Sequence, residues 1–153
     1  MRSVPVRSLV SGWTVIKEVA ISASPSRVFR ALTRPNELDV WFTQGAKVDL
    51  RIGGKYSNLD HDKGKFLEIT PGERLRFTWD NPEHSPGSIV EVLLKTVRGR
   101  TVLTVIHSGF KGKAEFEDYA SQRSGWNWAL SNLKAHLEGR RVVSFEEWLE
   151  KSS

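Results

Sequence analysis

One long helical segment follows a run of short alternating ones, and that order leaves few folds open. Between residues 46 and 108 the apolar residues recur with period 2; from about 114 to 138 they recur with period 3.6. The alternating stretches are joined by short turns, so the strands they predict lie antiparallel. Leu75, Phe77 and Trp79 oppose Arg74, Arg76 and Thr78; Val90, Val92 and Leu94 oppose Glu91 and Lys95. Leu103, Val105 and His107 share a third such face. One-sided alternation implies a sheet covered on one face. Only the segment from 114 to 138 is long enough to be the cover. The expected class is α+β: a curved antiparallel sheet of about six or seven strands wrapped around a long C-terminal helix.

The remaining elements are shorter. "TVIKEVAISAS", from 14 to 24, predicts a first strand. "SPSRVFRALT" predicts a helix capped by Ser24 and opened by Pro25, with Val28, Phe29 and Leu32 inward. "RPNELDVWF" predicts a second, weaker helix after the poor cap Arg34, with Leu38, Trp41 and Phe42 inward. "AKVDLRI" reads as a strand by the alternation of Val48, Leu50 and Ile52, with a Gly53-Gly54 turn and "KYSNL" returning. "KFLEI" is another strand, but either Phe66 and Glu68 or Leu67 and Ile69 could face inward. Gly139 is placed to stop the long helix, and Ser144 with Glu147 to cap a short terminal one. The expected division is an N-terminal extension at 1–13, one domain at 14–139 and a C-terminal extension with a short helix at 140–153.

Composition removes several functions. A chain of 153 residues suits one domain with one core. The net charge of +5 comes from Lys and Arg spread along the chain, which predicts a solvated basic surface and no nucleic-acid partner. No apolar run reaches the roughly 18 residues of a membrane span. There is no cysteine, hence no disulfide or thiolate chemistry, and a cytoplasmic location is the default expectation. Asp60, His61 and Asp62 are adjacent in a turn-like stretch and read as a polar loop, so no metal is expected. No GxGxxG, P-loop or GxSxG motif occurs, and no cofactor is expected.

Several words of the sequence point further. "SPSRVFRALTRPNELDVWF", "GGKY", "GKFLEITPGERLRFTW", "LTVIHSGF" and "GWNWALSNLKAHLEG" occur in an order and spacing spanning about residues 14 to 139. Together they resemble the SRPBCC, or START-like, superfamily. Within it they look like the branch named for the C-terminal domain of the activator of the heat-shock-protein-90 ATPase. Two departures are visible: Arg34 stands where an Asp or Asn is usual, and the tail from Arg140 is extra. The resemblance implies the helix-grip fold and often a cavity between sheet and helix for an apolar or aromatic molecule. It also implies a chaperone as a possible partner. One domain leaves no room for the activators' separate N-terminal domain, which counts against that partner.

The candidate site follows from the helix. At about 100° per residue, Tyr119, Gln122, Trp126, Leu130, Leu133 and Leu137 fall within about 40° of one line. The C-terminal half of this stripe is aliphatic and should pack on the sheet. The N-terminal half carries Tyr119, Gln122 and Trp126, whose polar groups need partners if buried, because an orphan costs roughly 1–3 kcal/mol. A ligand cavity under that half would supply them. Trp41, Phe66, Phe77, Trp79 and His107 should complete its wall, with Trp79 near an opening. His107 is the one candidate for acid–base catalysis, against the blander reading of a structural histidine. The expected functions are non-enzymatic binding of a small hydrophobic or aromatic ligand, a chaperone-interacting module, or a small cyclase- or hydrolase-type enzyme.

Two aromatic residues and a glycine need their own account. Trp128 points about 200° from Trp126, so the tail or a second chain of a homodimer should cover it. Gly125 inside the helix costs roughly 0.5–1 kcal/mol relative to Ala, which predicts a backbone or large ring close against it.

Overall fold

Seven strands form one antiparallel sheet in the order β1-β7-β6-β5-β4-β3-β2. They are β1 (Val15–Ile21), β2 (Lys47–Val48), β3 (Lys55–Ser57), β4 (Lys63–Thr70), β5 (Arg74–Trp79), β6 (Ser88–Val97) and β7 (Arg100–Ser108). The helices are α1 (Pro25–Thr33), α2 (Pro35–Trp41), α3 (Glu115–Leu137) and α4 (Phe145–Ser152). The computed structural model describes residues 13–82, 87–110 and 115–152. Residues 1–12, the loop at 83–86 and the expected helix start at Ala114 lie outside the described residues. Because β1 and β2 occupy opposite edges, α1 and α2 carry the chain from one edge of the sheet to the other. This is the helix-grip arrangement expected from the sequence.

The inner face is built in cross-strand rows. Val15, His107, Val90, Phe77 and Phe66 stand opposite one another across β1, β7, β6, β5 and β4. The next row runs through Val105, Val92, Leu75 and Ile69. β4 breaks register between Phe66 and Glu68. A bulge inserts one residue and reverses the parity beyond it. Phe66 and Ile69 therefore both pack on the core, while Glu68 reaches Arg74 and Arg76 outside. Neither simple alternation for this strand was the answer. Gly64, earlier on β4, is required by space: a Cβ there would lie 2.0 Å from the carbonyl oxygen of Thr78.

α3 lies over these rows and buries Trp126, Ala129, Leu130 and Leu133. Each large side chain so buried contributes roughly 1.5–3 kcal/mol. Gly139 ends the helix in the left-handed conformation with φ 76°. Ser24 caps α1 by accepting from the backbone N–H of Arg27 at 3.2 Å, while Arg34 gives α2 no side-chain cap. Tertiary bonds compensate. The Trp41 indole donates to the Ala31 carbonyl at 2.9 Å, and Asn132 of α3 donates to the Trp41 carbonyl at 2.6 Å. Glu37 of α2 is bonded by Arg27 at 2.7 Å and His136 at 2.8 Å.

One strand is shorter than its pattern. β2 holds only Lys47 and Val48, and Leu50 and Ile52 are exposed. After Asp49 the chain curls back, with the Gly54 N–H donating to the Arg51 carbonyl and the Gly53 N–H to the Phe66 carbonyl. The alternation of "AKVDLRI" there has no layer to pack against. The tail folds inward as expected for Trp128, whose indole donates to the Val143 carbonyl at 2.9 Å and whose ring meets Phe145. Ser144 accepts from the Glu147 N–H at 3.1 Å, but the Glu147 carboxylate turns to Arg141 and Lys151 and does not close the capping box. Among the described residues, no helix is long and apolar enough to cross a membrane.

Candidate functional site

Between the sheet, α2 and α3 lies an apolar cavity of about 80 Å³. Its wall takes Phe66, Phe77 and Trp79 from the sheet, Trp41 from α2 and Trp126 from α3. Sheet parity and the helical stripes put Phe77, Trp79, Trp41 and Trp126 on inner faces and left the side of Phe66 open; the fold brings all five together. Tyr56 of β3 also lines the wall and was not anticipated. Its hydroxyl donates to the Thr78 carbonyl at 2.6 Å, and burial pushes its pKa far above the ordinary phenol value. Its ring meets Phe66 and Phe77 at 5.8 and 5.4 Å between centroids. The exposed residues Lys47 and Ser57 mark the side on which the cavity approaches solvent. No carboxylate or imidazole among the described residues lines the wall.

The other three candidates lie elsewhere. His107 is fully buried behind Trp79 and Trp126 and is absent from the cavity wall. The Trp126 indole donates to its Nδ1 at 3.0 Å, and Nε2 lies 2.7 Å from Ser88 Oγ. Ser88 Oγ lies 3.0 Å from the Trp79 carbonyl, to which it donates. This chain needs a neutral imidazole with its proton on Nε2. Burial also favours the neutral form and pulls the His107 pKa down to about 3. Both ring nitrogens are occupied, so the geometry is that of a structural histidine. Ser88 gave no signal in the sequence, because the loop before it hides its register opposite Trp79.

Tyr119 packs against Trp13 at 5.1 Å and Phe110 at 6.5 Å, away from the cavity wall. Gln122 lines a separate surface groove of about 690 Å³ between α3, the α2–β2 connection and residues 142–146. The reason is common to both: an angle on the helix gives a side, but not what stands opposite at each level. Gly125 lies in this groove, and a Cβ built on it would meet nothing within 4 Å. The close approach expected there does not exist; the glycine faces open space.

Cavity and groove share part of their walls: Trp41, Phe42, Thr43, Trp79 and Trp126 line both. Phe42 meets Trp79 edge-on at 6.1 Å and stacks on Trp128 at 6.3 Å. Among the described residues, Trp79 Nε1 is the buried side-chain polar atom without a hydrogen-bond partner. Leaving such a donor unpaired costs roughly 1–3 kcal/mol.

The comparisons with known proteins agree with this architecture. The family model described as "Activator of Hsp90 ATPase homolog 1-like protein" matches residues 22–138. The chain belongs to this family. CalU16 from Micromonospora echinospora is 28% identical with TM-score 0.70, over 81% of this chain and 75% of that one. Protein MLL2253 from Mesorhizobium loti shares the fold at 23% identity and TM-score 0.75, over 85% of this chain and 100% of that one. So does PFC0360w, an HSP90 activator from Plasmodium falciparum, at 24% identity and TM-score 0.71, over 83% of this chain and 97% of that one. A search of curated proteins returns no match. The extra tail from Arg140 lies beyond the family match, yet α4 packs on α3 through Trp128.

Proposed function

We propose that this member of the Activator of Hsp90 ATPase homolog 1-like family binds a small apolar or aromatic molecule between its sheet and α3. The observation that carries this is the aromatic-walled cavity with no carboxylate or imidazole on its surface among the described residues. Such a wall can hold and orient an apolar group but offers little to general acid–base catalysis. His107, the candidate for that role, is buried, neutral and occupied at both nitrogens. Size limits the ligand. At about 80 Å³ the cavity is smaller than the roughly 150 Å³ void that accepts benzene in an engineered core. One ring or a short alkyl group is the fitting guest, with slight movement of the wall. A thermal-shift series of single-ring aromatics and short-chain alcohols tests this. Binding to the native state alone should raise the midpoint with concentration; a flat response across the series removes the reading.

Membership of this family supports a second reading, a module that contacts the heat-shock-protein-90 chaperone. The helix-grip domain would then act through its outer surface and not through the cavity. An unchanged chaperone ATPase rate at saturating protein would count decisively against it.

A further inference from the structure

Four tryptophans stand at the junction of cavity and groove, and three of their indole N–H groups are engaged. Trp41 donates to the Ala31 carbonyl, Trp126 to His107 and Trp128 to the Val143 carbonyl. Among the described residues Trp79 Nε1 has no acceptor, although it is buried and Trp79 lines both spaces. Its ring is pinned by Phe42, His107 and Trp126 at 6.1, 5.5 and 5.7 Å.

Building on the cavity reading above, we propose that the ligand is a neutral carbonyl compound. Its apolar ring occupies the cavity and its oxygen accepts the Trp79 indole hydrogen. A carboxylate is disfavoured by the same wall: among the described residues the cation lining it is Lys47, which is exposed, and a buried anion without a charge partner is costly. Any substituent too large for the cavity extends into the groove. There Gly125 supplies the space, flanked along α3 by Ser121, Trp128, Ala129 and Asn132, which line the same groove.

Acetophenone and ethylbenzene test the idea, since they differ only in a carbonyl group in place of a methylene. Benzoate supplies the charged arm. Dissociation constants are measured for all three in the wild type and in Trp79→Phe. The ratio of ethylbenzene to acetophenone constants should fall about tenfold in Trp79→Phe, since the altered wall acts on the apolar part of both ligands alike and cancels in the ratio. In the wild type, acetophenone should move the Trp79 indole N–H resonance downfield and ethylbenzene should not; this arm decides even if Trp79→Phe does not fold. A ratio unchanged by the substitution, or benzoate binding as tightly as acetophenone, overturns the carbonyl proposal while ethylbenzene binding keeps the cavity reading. Failure of both neutral probes to bind overturns the two together.

Discussion

At His107 the hydrogen-bond chain from Trp126 through the imidazole to Ser88 and the Trp79 carbonyl works only while the ring is neutral. The folded-state pKa of about 3 lies below the ordinary value of 6.5. A depressed folded pKa means that the unfolded chain binds more protons in this window, so stability is full above 6.5 and is lost as pH falls towards 3. Between pH 7 and pH 5 this one group should remove roughly 2 kcal/mol. Denaturant midpoints measured at both pH values, compared with His107→Gln, check it: the variant should lose most of the pH dependence attributable to this residue. The sequence placed His107 on the inner face by parity alone. Parity could not show that a serine and a tryptophan from other elements would occupy both nitrogens. Trp79 is the converse case, since its side was legible and its lack of a partner was not.

Among the elements, α3 carries the most instructive correction. Its glycine was expected to sit under a neighbour and instead faces an open groove. Gly125→Ala meets no atom within 4 Å, so the change should stabilise the helix by roughly 0.5–1 kcal/mol, read as a higher denaturant midpoint. A larger side chain such as Leu at that position would fill part of the groove. The strands β5, β6 and β7 were legible because each has one apolar face against a buried layer. β4 was not, because a bulge changes parity without changing composition. The segment after Val48 alternates for no structural gain, and its apolar residues stay in solvent. Four of the five cavity rings were readable as inward-facing; the side of Phe66 was left open by its strand. Tyr119 and Gln122 share that helical side but meet Trp13 and the groove respectively, because a period carries no information about opposing neighbours.

For the molecule as a whole, the tail is a structural part of the domain even though the family match ends before it. The Val143 carbonyl accepts from Trp128, and the Val143 N–H donates to Asn132, which in turn holds the Trp41 carbonyl. Deleting residues 141–153 strips both partners at once and uncovers one side of Trp128. The truncated protein should lose roughly 1–3 kcal/mol, seen as a lower thermal midpoint, and should expose an apolar patch that promotes self-association. Light scattering on the two forms separates a tail that shields Trp128 from one that is dispensable.

The shared wall of cavity and groove also has an optical side. Trp79 and Trp126 lie 5.7 Å apart with their planes inclined at 61°, and Phe42 links Trp79 to Trp128. Two indole chromophores held so near and so skewed are electronically coupled, and the handedness of their arrangement is imprinted on circular dichroism. A guest that shifts either ring by a fraction of an ångström would alter that signal before it altered the fold. The protein thus carries, in the wall of its own cavity, a label-free gauge of whether that cavity is filled.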